Sequence, residues 1–187
     1  MPRWQALANV MLFGFGIAYP AIVFFLQGSV DPLLFIVLAL TIVALRLAMG
    51  KAGIGGWRPA LLVAAVVLAG LALIDAALAA RAYPVLISVA AASVFAATLW
   101  RPPSLIERLA LAGGEPWSPA LRDYCRTVTL MWALWLSVNA AIAAMLAVAD
   151  DDAAWALWTG LLSYLVSGML FAGEWLVRRT LPGRQAR

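Results

Sequence analysis

Apolar positions along this chain run in long blocks, without the alternation of a half-buried strand. Six blocks separate at turn-forming breaks and cover residues 5–26, 32–49, 59–79, 83–100, 127–149 and 153–177. The breaks read "QGSVDP", "GKAGIGGWRP", "RAYP" and "ADDDA", with one longer connection from Arg101 to Arg126. Each block has about the 17 to 25 residues that a helix needs to cross the hydrocarbon core of a bilayer. Only helices satisfy every backbone polar group within one such segment. The pattern therefore predicts an all-α, polytopic integral membrane protein of about six transmembrane helices, with no soluble domain. The first block has a basic start but no small-residue cleavage site, so it reads as an uncleaved first helix with a kink at Pro20.

The long connection has its own periodicity. Pro102 and Pro103 stop the fourth block, and Ser104 stands three residues before Glu107, the spacing of a capping box. Leu105, Ile106, Leu109 and Leu111 then alternate with Glu107 and Arg108, as in a short amphipathic helix lying at a membrane surface. Ser118 and Pro119 form a cap and first residue for the fifth helix.

Composition agrees with this reading. Of 187 residues, 65% are hydrophobic and 12% charged, too little polar surface for a soluble domain of this size. The net charge of +4 matters through its placement. Twelve of the 13 basic residues fall on one side if six helices alternate: Arg3; Arg46, Lys51 and Arg58; Arg101, Arg108, Arg122 and Arg126; Arg178, Arg179, Arg184 and Arg187. The other side receives Arg81, Asp31, Asp75 and the run Asp150–Asp152. The positive-inside rule then puts both termini in the cytoplasm. Nucleic acid is not the partner this charge implies; membrane lipid is.

Chemical handles are few. The chain has one Cys and no His. Imidazole-built metal or haem sites are excluded, as are His-dependent triads, and no cofactor or metal is expected. Cys125 lacks a base, so no catalytic residue is assigned and the chain is not read as an enzyme. Ala-Tyr-Pro occurs twice, at Ala18–Pro20 and Ala82–Pro84, in positions that fit chance better than an inverted repeat.

The polar residues inside the apolar blocks are the candidate binding set. On the sixth helix Ser163, Ser167, Glu174 and Arg178 share one face at 100° per residue, with Gly160, Gly168 and Ala172 expected beside them. Glu174 and Arg178 have the favourable i, i+4 order. Two readings stand for Glu174: an internal ion pair that closes the helix end, or a carboxylate that orients Arg178, with Arg122 or Arg126 of the fifth helix, toward an anionic group. Asn139, in mid-helix, is expected to bond a helix-six serine or Thr159. Asp75 is expected near Arg81 at the outer end of the third helix. Arg101, Glu107 and Arg108 complete the set, on a basic surface that would meet lipid phosphates or an acidic partner.

The stretches "RPPSLIERLA", "LRDYCRTVTLMW" leading to Asn139, and "WALWTGLLSYLVSGMLFAGEWLVRR" resemble a family of small bacterial inner-membrane proteins. The family pattern runs R-P-x-S-x-I-E-R, R-x-Y-x-R-x-V-T-x-x-W, an Asn in the fifth helix and a G-E-x-x-x-R end. Cys125 and Thr159 stand where that family has Thr and Asn, which weakens a role for those two positions. The resemblance covers residues 101–179; the first four blocks match only in hydropathy. Members are encoded among enzymes of aryl-polyene or xanthomonadin-type pigment synthesis, and some carry the label ketosynthase, which a chain without His cannot earn. The resemblance implies an accessory membrane component of an aryl-polyene or fatty-acyl-type lipid pathway, binding an anionic acyl product or an acyl carrier protein. The alternatives are a small lipid transporter or flippase, and a membrane acyl- or glycosyltransferase.

Overall fold

The structure is a computed structural model that describes residues 14, 18–26, 29–49, 57–149 and 151–180. Arg3, Lys51, Asp150, Arg184, Arg187 and nearly all of residues 5–17 lie outside the described residues. The described chain is all-helical. A helical segment over 18–26 (α1) is followed by α2 (Pro32–Met49), α3 (Trp57–Ala72), α4 (Ala76–Trp100), α5 (Leu105–Ala112), α6 (Pro119–Val148), α7 (Asp152–Leu157) and α8 (Ser163–Thr180). A π-helical turn, Trp158–Leu162, joins α7 to α8 without a break.

Among the described residues three helices are long and apolar enough to cross a membrane: Ala76–Trp100, Pro119–Val148 and Asp152–Arg178. Pro32–Ala48 and Trp57–Ala72 are shorter apolar helices. Large side chains point outward, as in lipid: Phe25, Leu73, Ile74, Val66 and Met145 are all more than 60% exposed. Alanine fills the contacts instead. Ala90 on α4 and Ala133, Ala140, Ala143 and Ala147 on α6 are buried, and α4–α6 is the most extensive helix contact. Small residues let backbones approach closely where burial of bulk gains nothing against lipid. α4 is the centre of the bundle, packed against α2, α3, α5 and α6.

The third and fourth helices are cut differently from the hydropathy blocks. α3 ends at Ala72, and Asp75 caps α4 by accepting the Leu78 N–H at 2.9 Å. Arg81 and Pro84, expected in the break, therefore lie inside α4. Proline within a helix leaves the carbonyl four residues earlier without its N–H partner. Here that carbonyl belongs to Ala80, and the buried Tyr19 hydroxyl of α1 donates to it at 2.9 Å. Tyr19 also stacks on Tyr83 with ring centroids 4.5 Å apart. The two Ala-Tyr-Pro tripeptides thus meet in space.

At this end of the bundle Arg81 pairs with Asp152 at 2.8 Å, joining α4 to α7. The opposite end carries Arg101, Arg108, Arg122, Arg126 and Arg178, where α4 stops, α5 lies, α6 starts and α8 finishes.

Candidate functional site

The arginine-rich end is built around α5. The N–H groups of Ser104, Leu105 and Ile106 are all taken. Ser104 N–H donates to the Glu107 carboxylate at 3.2 Å, Leu105 N–H to Thr98 Oγ1 of α4 at 3.0 Å, and Ile106 N–H to Thr129 Oγ1 of α6 at 3.3 Å. Each threonine hydroxyl donates in turn to a carbonyl of its own helix, Thr98 to Phe95 and Thr129 to Cys125. The helix start that normally offers donors to an anion is closed here. Glu107 and Ser104 are buried by the same arrangement. The predicted spacing thus gives the Glu107 half of a capping box, spent on holding α5 against α4 and α6.

Arginines serve the same junction. Arg108 Nε donates to Pro103 O at 2.8 Å and Nη2 to Arg101 O at 3.0 Å. Arg126 Nη1 donates to Leu99 O at 2.8 Å, satisfying one of the carbonyls left over at the end of α4. Arg101 and Arg122 are exposed.

Glu174 lies on α8 with its side chain only 10% exposed. Its Oε1 accepts Arg178 Nε at 2.9 Å, pairs with Nη2 at 2.8 Å, and accepts the Tyr124 hydroxyl of α6 at 2.9 Å. Arg122 and Arg126 are not among these partners. The charged pair is an α8–α6 clamp completed by a tyrosine that the sequence reading did not single out. Tyr124 fits the rule that a partly buried tyrosine hydroxyl finds an acceptor, but only the helix pairing tells which one.

Higher in the bundle the polar groups close on themselves. Trp158 Nε1 donates to Asn139 Oδ1 at 3.0 Å, Asn139 Nδ2 to Ser88 Oγ at 3.1 Å, and Ser88 Oγ to Pro84 O at 2.9 Å. Asn139 therefore bonds α4 and the π turn, in place of a helix-six serine or Thr159. Trp135 Nε1 donates to Ser167 Oγ at 2.9 Å. The polar stripe of α8 does face α6: Ser163 is buried, and Ser167 is half-buried. Gly168 and Ala172 are exposed, contrary to expectation. They sit about 140° and 180° from Ser163 at 100° per residue, so they turn away from the polar stripe. A Cβ built on Gly168 meets nothing within 4 Å.

Two apolar grooves flank α4 and open at the arginine-rich end. One, about 670 Å³, runs between α3 and α4 with Arg101 and Arg108 at its mouth. The other, about 560 Å³, lies among α4, α5, α6 and α8, with Phe95, Trp132 and Phe171 in its walls and Glu115, Glu174 and Arg178 at its mouth. Both fall in the size range of small-molecule sites. Cys125 is fully buried, so it is no surface thiol. Among the described residues no group of three or more acidic, Cys or His side chains could hold a metal ion.

No protein-family model matches the chain, and no curated protein or solved structure matches it.

Proposed function

We propose that this chain is a non-catalytic accessory protein of the bacterial inner membrane. In this reading it spans the bilayer six times, keeps both termini in the cytoplasm and rests α5 at the inner surface. It serves an aryl-polyene or fatty-acyl-type lipid pathway, receiving an anionic acyl product or an acidic acyl carrier protein at its cytoplasmic face. The observation that carries the reading is the segregation of charge along the bundle. Arg101, Arg108, Arg122, Arg126 and Arg178 collect at one end, around two apolar grooves, while Arg81 at the other end is paired with Asp152. A basic face beside an apolar groove suits a molecule with an anionic head and a hydrocarbon body. The resemblance of residues 101–179 supplies the pathway.

The non-catalytic part rests on chemistry. The only thiol is fully buried and there is no imidazole in the chain. The mid-helix polar groups bond one another, Trp158 to Asn139, Asn139 to Ser88 and Ser88 to Pro84 O, as interhelical glue does.

Purification in mild detergent from cells expressing the pathway tests the proposal. Native mass spectrometry should find a bound acyl species or an acyl carrier protein. Replacing Arg101 and Arg122 together by Gln should reduce that co-purification and the pathway's lipid output without loss of the folded protein. Purified protein that carries neither ligand, from cells whose output is indifferent to its deletion, would defeat the reading.

A further inference from the structure

The two grooves beside α4 differ in their mouths, and that difference selects a ligand. The α4–α8 groove ends on Glu115, Glu174 and Arg178, and Arg178 is already engaged by Glu174. An anion entering there meets two carboxylates. Among the described residues the α3–α4 groove has no acidic residue in its lining, and its polar end consists of Arg101 and Arg108. The guanidinium of Arg108 spends two of its five N–H donors on the carbonyls of Pro103 and Arg101, which fixes it in place. Its remaining donors stay available for a bidentate oxyanion.

Below the arginines the walls are hydrocarbon. Ala60, Val63 and Ala64 of α3 face Val89, Ala90 and Ala97 of α4. The two hydroxyls along the wall are satisfied within α4: Ser93 donates to Ala90 O and Thr98 to Phe95 O. The wall therefore asks nothing polar of a ligand. From Thr98 to Leu86 the α4 side runs 12 residues, about 18 Å at 1.5 Å per residue. That is close to half of a hydrocarbon core about 30 Å thick, the depth of one leaflet.

We propose that the α3–α4 groove binds a single-chain anionic amphiphile of the fatty-acid type, its chain along Ala90–Ala97 and its head on Arg101 and Arg108. The proposal deepens the accessory reading above and rests on its membrane orientation. It moves the ligand away from the Glu174 cluster and onto the far side of α4.

The test uses the full-length protein in detergent micelles with palmitic acid carrying a diazirine in its chain. The corresponding fatty alcohol, equally photoreactive and uncharged, is the comparison. Peptide mapping should place the label on residues 59–67 and 86–98, competed by unlabelled palmitate. The acid should outperform the alcohol by about tenfold, the effect of one charge-assisted hydrogen bond. Arg101→Gln should lower the labelling several-fold. Ala97→Phe, which fills the groove from an exposed wall, should remove it with the thermal midpoint unchanged. Equal labelling by acid and alcohol would mark the groove as ordinary annular lipid and overturn the proposal. Label confined to α6 and α8, or labelling that palmitate does not compete, would overturn it as well. The two readings fail separately. An acyl species found on the protein with no label in the groove sinks the site alone. Labelling that Ala97→Phe removes, with pathway output untouched, sinks the accessory function alone.

Discussion

Glu174 answers at the level of one carboxylate why an apolar helix keeps a charge. Its Oε1 gathers two contacts from Arg178 and one from Tyr124, so the charge is neutralised and hydrogen-bonded within its own neighbourhood. Arg178 is 35% exposed, so solvent shares its charge and the pair is worth less than a fully buried one. Glu174→Gln is expected to lower stability in detergent by about 1 to 2 kcal/mol, and Tyr124→Phe by about 1 kcal/mol. The double variant should fall short of their sum, because both changes break the same cluster. Thermal melts of the four proteins check this; strictly additive losses would mean that the tyrosine and the carboxylate act independently. Arg126→Gln should behave differently, loosening the end of α4 through Leu99 O while leaving the α6–α8 clamp intact. The sequence made the facing of Glu174 legible, since Ser163, Ser167, Glu174 and Arg178 fall on one side at 100° per residue. It did not make the partner legible. Arg122, Tyr124 and Arg126 all sit in the first turns of α6, and which of them reaches α8 depends on how two helices rotate against each other.

Helix ends decided most of what was read correctly or missed among the elements. Ser118 caps α6 by accepting Leu121 N–H at 3.1 Å, with Pro119 as first residue, as the cap signals predict. The α3–α4 break was hidden because "LALIDAALAARAYP" is apolar almost throughout. The legible cue was Asp75, a good N-cap, and the misleading one was Pro84. Pro84 stays inside α4 with the missing donor supplied by Tyr19, 61 positions before Ala80 along the chain. That exchange can be measured. Tyr19→Phe should cost about 1 to 3 kcal/mol by stranding the Ala80 carbonyl. In a Pro84→Ala background the restored backbone N–H takes over that carbonyl, and the same substitution should cost much less. A double-mutant cycle with no coupling would show that Tyr19 holds α1 by packing alone.

Across the whole molecule, α4 separates two grooves and carries both ends of the charge asymmetry, with Arg81 near its start and Arg101 just past its end. Three membrane-length helices follow from hydropathy, because composition alone sets that property. The grooves do not, because they are the spaces left where small residues face each other across different helices. The proposed orientation has a direct check. Cys125 is silent by burial, so reporters are best introduced at Asp123 and Leu73, both exposed and at opposite ends of the bundle. In a Cys125→Ala background, Asp123→Cys should react with an impermeant maleimide in inverted vesicles and Leu73→Cys in intact spheroplasts. The reverse result would place the arginine-rich end outside.

The closing of α5 carries a consequence for how the chain is made. Leu105 N–H binds Thr98, already synthesised seven residues earlier, whereas Ile106 N–H waits for Thr129, 23 residues later. A ribosome adding about 5 to 20 residues per second leaves that donor open for seconds, until the early turns of α6 emerge and settle against α4. The start of α5 is therefore half satisfied by the helix made before it and completed only by the helix made after it.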